Sequence, residues 1–430
     1  MRKPGRRSDV IRCLACAGFP AVMFLMACRG GETAGSASPA SSPSSPAAGD
    51  LQAADVRIRV RLAADVEWFE LAIDGPCEMR DAFGAAVAVE APLSPRRITG
   101  EILRPPVTPA SAPGADGPLL EVRPRKDGDL RLRLPGMETF QAYRGVLRCD
   151  VGRSGRIELV NELGVEDYLR SVVAREMPTS FHREALRAQA IIARTYALWL
   201  RQTDGERRAW DVKAGEGGQV YAGIREDTAA AEAVEATRGI VCTWKTPVGP
   251  KIFCTYYSAV CGGCTQAARN IANEGDIPPL SGGVSCDYCA GAKHYRWGPE
   301  RVSRKAITAG LRERSPRCAD LGRVQTVEAI ETTPDGRPVR IRVVDEANRE
   351  VVLRAEEFRL AVDPTGRLLK STFFTLRMEP DYVVFADGRG YGHGVGLCQW
   401  GAEGLARRGR VAGEILAYYY PGCRLTLAYR

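Results

Sequence analysis

Glu176 stands where a carboxyl group can do acid–base work. Leu169, Val172 and Val173 lie on one apolar face of a helix, and the next position on that face is 176. The carboxyl group is expected to point toward the core, one residue before the helix stops at Met177-Pro178. Burial disfavours the charged form of a carboxylate, so its pKa should rise into the range of a useful acid at neutral pH. The alternative is an ion pair with an arginine such as Arg194, the commoner fate of a buried Glu. Gln189 and Arg194 sit among Ala185, Ala188, Ala190 and Ala193 in a second, Ala-rich helix. Long polar side chains in such company need partners. Only a few residues join the two helices, so they should pack together, with Arg194 in reach of Glu176 or of a substrate hydroxyl.

The cysteines form a second constellation. Cys261-Gly262-Gly263-Cys264 is followed, after 21 residues, by Cys286-Asp287-Tyr288-Cys289. Two Cys-x-x-Cys knuckles at this separation have the spacing of a zinc site, and His294 could replace one ligand. The same four thiols could make two disulfides, which an oxidising compartment favours. Cys242 and Cys254 flank a turn at 246–250, and a hairpin would set them opposite each other as a disulfide. Gly388 to Gly396 has glycine at every second position, without the spacing of a phosphate-binding loop. Such a run lets a ligand or another strand approach the backbone closely. It holds His393, one of three His in the chain; a lone His is more often structural than catalytic, and the glycines around it raise the interest.

The elements that must position these residues come in blocks. Residues 55–98 alternate like strands, with Val56, Ile58, Val60 and Leu62 on one face and Arg57, Arg59 and Arg61 between them. Further strand-like pieces fall at 119–123, 130–134, 143–149 and 156–160. Helices are expected at about 165–177, 181–201, 227–237, 303–314, 397–408 and 412–420. Strands are expected at 239–243, 251–257, 324–331, 338–344, 350–354 and 372–376. Blocks of strand and helix without strict alternation imply an α+β fold, with mixed and antiparallel sheet segments and buried helices.

The chain has 430 residues, of which 45% are hydrophobic and 26% charged, an ordinary globular composition. Its start differs. Arg2 to Arg7 is basic, Ile11 to Ala27 is mostly apolar, and Leu25-Met26-Ala27-Cys28 ends the stretch. That order is a signal peptide, and its ending has the form of a lipobox that would acylate Cys28 and anchor the protein to a membrane; a plain signal peptide is the alternative. Residues 29–54, rich in Ser, Pro, Ala and Gly, read as a flexible tether. Residues 55–142 form a strand-rich region, and 143–430 a catalytic region with a Cys-rich loop at 254–289. The formal charge is +8, but five cations against Asp9 put +4 of it in the first twelve residues. Bulk charge therefore argues for no nucleic-acid partner. Of fourteen Cys, eleven lie beyond the leader, an odd number.

The ordered motifs Val160-Asn161-Glu162-Leu163, Glu166-Asp167-Tyr168-Leu169, Val172 to Pro178, Glu184 to Ala190 and Ala193 to Ala197 together resemble the stage II sporulation protein D (SpoIID/LytB) family. So do Gly390 to Leu397, Gln399, Gly401-Ala402 and Tyr419 to Gly422. The resemblance covers about 143–423. It implies a lytic transglycosylase acting on peptidoglycan glycan strands stripped of peptides, with Glu176 as the acid. It also implies substrate-binding roles for Arg194, Tyr257, Ser258 and His393, and within the same motifs for Gln189, Tyr391 and Gln399. Some members bind zinc near the matched Cys261. Others enhance a cell-wall amidase, which makes a non-enzymatic glycan binder the alternative. Cys398 departs from the small polar residue usual at its position, and Trp400 from Tyr.

Overall fold

The computed structural model describes residues 56–81, 85–103, 119–125, 128–152, 154–215, 218–273 and 275–430. Cys28, the leader and the tether lie outside the described residues. The architecture is mixed helix and strand, as the block pattern implied. Strand Arg57–Val66 buries Ile58 and Val60, while the arginines between them pair with Glu162, Asp211 and Glu158. It runs antiparallel to Ile157–Gly164, next to Val146–Val151. Strands Leu120–Pro124, Cys77–Asp81 and Ala86–Val89 continue the sheet on one side, and Val212–Lys213 ends it on the other. The strand-rich region and the region that follows it thus share one hydrogen-bonded sheet.

Two helices carry Glu176, Gln189 and Arg194. Val165–Glu176 ends where Met177 turns extended, at φ −134° and ψ 140°, because the ring of Pro178 excludes the helical conformation from the residue before it. Arg183–Thr203 starts at His182, whose ring accepts from the Glu184 N–H. Its alanines pack fully buried against the first helix and the sheet. No helix of the described residues is long and apolar enough to cross a membrane.

A second core spans 297–385. It packs helices Arg304–Arg314 and Ala355–Val362 against two three-stranded antiparallel sheets, around Ile307, Leu311, Ile341, Phe358 and Phe385. Sequence periodicity did not signal helix Ala355–Val362 or strand Tyr382–Ala386. The short antiparallel pair Arg296–Trp297 and Gly388–Arg389 closes this insert at its neck. The chain therefore leaves the main body after the Cys-rich loop and returns through the glycine run.

The hairpin of Ile240–Thr246 and Gly249–Ile252 forms, but not as a Cys242–Cys254 clamp. Its register sets Thr243 against Ile252. One further step would place Phe253 across from Cys242, and neighbouring strand residues point to opposite faces. The Cys242 thiol instead lies beside that of Cys423, just before the C-terminal strand Arg424–Leu427 that pairs with the same strand. Oxidation by a small disulfide should therefore join Cys242 to Cys423. Peptide mapping that found Cys242 joined to Cys254 would reject this pairing.

Candidate active site

Glu176 occupies the last turn of its helix and is 9% exposed. Its Oε1 accepts the Val220 N–H at 2.7 Å, and the buried Tyr257 hydroxyl faces the same carboxyl group. Burial outweighs both contacts and pushes its pKa up to about 7. At neutral pH the group can therefore give a proton and take one back with similar ease. Tyr257 also lies beside Gln219, which accepts the Tyr168 hydroxyl at 3.0 Å and donates to the Ala193 carbonyl at 3.2 Å. This network fixes the carboxyl against both helices. Gln219 and Tyr168 were not foreseen as site residues; the cue in the sequence was a polar residue between Gly218 and the apolar pair Val220-Tyr221.

Gln399 Nε2 donates to the Glu176 carbonyl at 2.9 Å and to Gln189 Oε1 at 3.3 Å. Gln399 so satisfies a carbonyl that the helix end leaves unpaired, and Gln189 holds Gln399 in place. Gln189 Nε2 and Ser258 Oγ are buried without a hydrogen-bond partner among the described residues. Such atoms mark where a site has bonding capacity in reserve. Trp400, 37% exposed, meets Phe181 edge-on at 5.0 Å, just beyond the end of the Glu176 helix. An exposed indole there offers a flat apolar face to a ligand.

Arg194 does not join this group. It is fully buried, and its guanidinium forks onto Glu166 at 2.7 and 3.0 Å and onto the carbonyls of Val234 and Ile240. It is a structural strut, and the ion pair foreseen for it exists with Glu166 rather than Glu176. The reason is helical phase: Arg194 faces the hairpin side of its helix, where Glu166 stands one face away from Glu176.

The alternating glycines bring a neighbouring strand close, not a phosphate. Gly390, Gly392, Gly394 and Gly396 all have positive φ. A side chain at Gly396 would meet the Tyr256 carbonyl at 2.0 Å, and one at Gly392 the Ser258 Cβ at 2.9 Å. The run packs along 256–262 and pairs Ser258 with Cys398. His393 is buried inside it. Its Nδ1 accepts the Val395 N–H at 3.0 Å, and burial drives its pKa down to about 4. It is a neutral, pinned ring at physiological pH. Tyr391 is half-buried on the far side, edge-on to His294 at 5.2 Å.

The cysteine cluster differs from its expected membership. Cys261, Cys286, Cys289 and Cys398 converge, with all four sulfurs within 4.8 Å of one another and every residue buried. Cys264 stays outside: its thiol donates to the Thr265 carbonyl, and its backbone bridges to Ser285. His294 is turned to Tyr391 instead. Cys398 replaces Cys264 because the Ser258–Cys398 pairing carries a residue 137 positions away onto Cys261, whose N–H donates to the Cys398 sulfur at 3.2 Å. A tetrahedron of ~2.3 Å zinc–sulfur bonds has edges of about 3.8 Å. The Cys261–Cys289 edge is 3.7 Å. Within the cluster Cys286 and Cys289 are drawn toward the thiolate while Cys261 and Cys398 are pushed the other way, because the four thiols share hydrogen bonds. The donor set fits a closed four-thiolate centre.

The stage II sporulation protein family model matches residues 153–244, and a domain of unknown function (DUF8618) matches 286–396. An uncharacterized protein of Brachyspira hyodysenteriae is 35% identical over 266 residues, covering 61% of this chain and 67% of that one. Stage II sporulation protein D of Bacillus subtilis is 26% identical over 63% of this chain and 76% of its own length. The amidase enhancer of Bacillus subtilis is 25% identical over 60% of this chain, which spans 40% of that relative. The chain belongs to the stage II sporulation protein D family.

Proposed function

We propose that this protein is a peptidoglycan lytic transglycosylase of the cell envelope. It cuts the MurNAc–GlcNAc bond of peptide-stripped glycan strands and leaves 1,6-anhydro-MurNAc ends. The observation that carries this reading is the buried Glu176 carboxyl with its pKa near 7. One such group suffices for the chemistry. Protonated Glu176 gives its proton to the glycosidic oxygen as the bond to C1 of MurNAc breaks. The C6 hydroxyl of the same sugar then closes onto C1, and the carboxylate takes the hydroxyl proton. No water is consumed, so no second carboxylate is required to activate one. The Val220 N–H and the Tyr257 hydroxyl stabilise the carboxylate between the two steps.

Digestion of purified peptide-free strands, followed by mass spectrometry, tests this. Anhydro ends should accumulate in proportion to enzyme. Products with reducing MurNAc ends would mean hydrolysis instead. Intact strands, combined with stimulation of an added cell-wall amidase, would establish the second reading, a glycan-binding enhancer. That reading draws its support from the name of one relative.

In the same reading, Cys261, Cys286, Cys289 and Cys398 hold one structural zinc. Four thiolates fill its shell, so it supplies rigidity and no step of the reaction. The protein works outside the cytoplasm, tethered by a lipid on Cys28. Cys28→Ala should then leave the membrane fraction, and retention there after a high-salt wash would refute the anchor.

A further inference from the structure

Most arginines of the insert face a carboxylate, as Arg301 does Glu379 and Arg349 does Asp345. A contiguous group does not. Lys293, Arg296, Arg367, Lys370 and Arg389 form no ion pair among the described residues. Arg296 stands directly across from Arg389 in the strand pair at the neck of the insert. Lys370 donates to the Arg367 carbonyl, and its own carbonyl accepts the Gly392 N–H at 2.8 Å. Its ammonium lies 5.9 Å from the Trp297 ring, while the Arg296 guanidinium turns over the Tyr295 ring. Lys370 and Lys293 both act on His294, which faces Tyr391. Lys293, Arg296 and Arg367 are exposed, and Tyr391 and Tyr295 lie half-exposed among them.

The acidic groups nearby are already engaged. Asp363 accepts the N–H groups of Leu368 and Leu369 and the Thr365 hydroxyl. Glu356 is buried against Arg359. Asp363 and the exposed Asp387, which accepts the Thr375 hydroxyl, stand against five cations, so the patch keeps a net positive charge whose self-repulsion a bound polyanion would relieve. One backbone contact links the patch to the segment that carries Tyr257. Tyr391 and Val260 exchange backbone hydrogen bonds, and Val260 lies two residues from Ser258 and three from Tyr257, whose hydroxyl faces Glu176.

We propose that this cationic patch is a subsite for the lactyl carboxylates of peptide-stripped glycan, resting on the lytic transglycosylase reading above. Removing the stem peptide from a muramic acid turns a lactyl amide into a free carboxylate. A stripped strand is thus a polyanion with charge at the sugar itself, whereas a peptide-bearing strand has a neutral amide at that atom. The five cations of the patch recognise that difference, with the half-exposed tyrosines as apolar faces for the sugar rings. The segment 286–396 thereby acts in substrate selection.

Binding, not cleavage, tests the subsite. The full chain with Glu176→Gln, which cannot act as an acid, is titrated with labelled peptide-free strands. The same strands with their carboxylates converted to methylamides serve as the comparison. Binding should weaken with added salt. Adding Lys293→Gln, Arg296→Gln and Arg367→Gln together should weaken it roughly tenfold. Methylamidation should weaken it to a similar degree, and the triple substitution should then have no further effect. Equal binding by the triple variant, or equal binding of methylamidated strands, overturns the proposal. So does tighter patch-dependent binding to vesicles of anionic phospholipid than to strands. If the wild-type protein fails to cut strands yet binds them through the patch, the catalytic reading falls and the subsite stands. Cutting with charge-blind binding is the reverse.

Discussion

Glu176→Gln is expected to lower strand cleavage by about a thousandfold or more and, above pH 7, to give a protein more stable than the wild type. The two effects share one cause. Burial lifts the carboxyl from an ordinary value of 4.5 to about 7. The folded state therefore holds this proton more tightly than the unfolded state does. Between those two values, raising the pH removes stability, because ionising a buried acid costs more than ionising a solvated one. The loss begins above about pH 4.5, is largely complete once the pH passes 7, and amounts to ~3 kcal/mol for a gap of this size. Glutamine never ionises and escapes it. Its Oε1 can still accept the Val220 N–H, although Tyr257 must turn its hydroxyl away. A gain of about 1–3 kcal/mol at pH 8, shrinking toward zero near pH 4, should appear in urea denaturation. The kcat/KM of the wild type should fall as the pH rises through 7, as the proton donor is lost. A variant that still cuts, or one whose stability tracks the wild type at every pH, would remove Glu176 from the acid's role.

Cys398→Ser should have the second large effect. If zinc sits among Cys261, Cys286, Cys289 and Cys398, losing one thiolate opens the shell. Structural zinc contributes on the order of 10 kcal/mol to small domains, and this site closes the Thr265–Ser285 loop against the main core. Cys398→Ser is therefore expected to lose its metal and to melt far below the wild type. Activity should fall with it, since the next residue, Gln399, holds the carbonyl of Glu176. Cys264→Ser is the control. Its thiol lies outside the cluster, so the variant should keep one zinc per chain and a melting temperature near that of the wild type. Elemental analysis beside thermal melts reads both. Metal lost from Cys264→Ser but retained in Cys398→Ser would restore the ligand set expected from spacing alone. No metal in the wild type would leave the cluster as four packed thiols.

These two results also separate what was legible in the chain from what was not. The Glu176 helix could be read residue by residue, because its apolar face repeats at helical spacing and Pro178 ends it by a local steric clash. The Ala-rich helix, the hairpin around 246–250 and the two Cys-x-x-Cys knuckles were visible for the same reason: short-range periodicity and turn chemistry determine them. Partner choice was not visible. Arg194 chose Glu166 over Glu176, Cys242 met Cys423 rather than Cys254, and Cys398 took the place of Cys264. Each choice turns on which face of an element meets which neighbour, and on the register of strands more than a hundred residues apart. Cys398 did stand out in the sequence as a departure from its family, yet nothing local tied it to Cys261. The glycine run shows both sides. Its spacing announced a close approach of backbone, and only packing against 256–262 decided that a strand, and not a ligand, would fill the space left by the missing side chains.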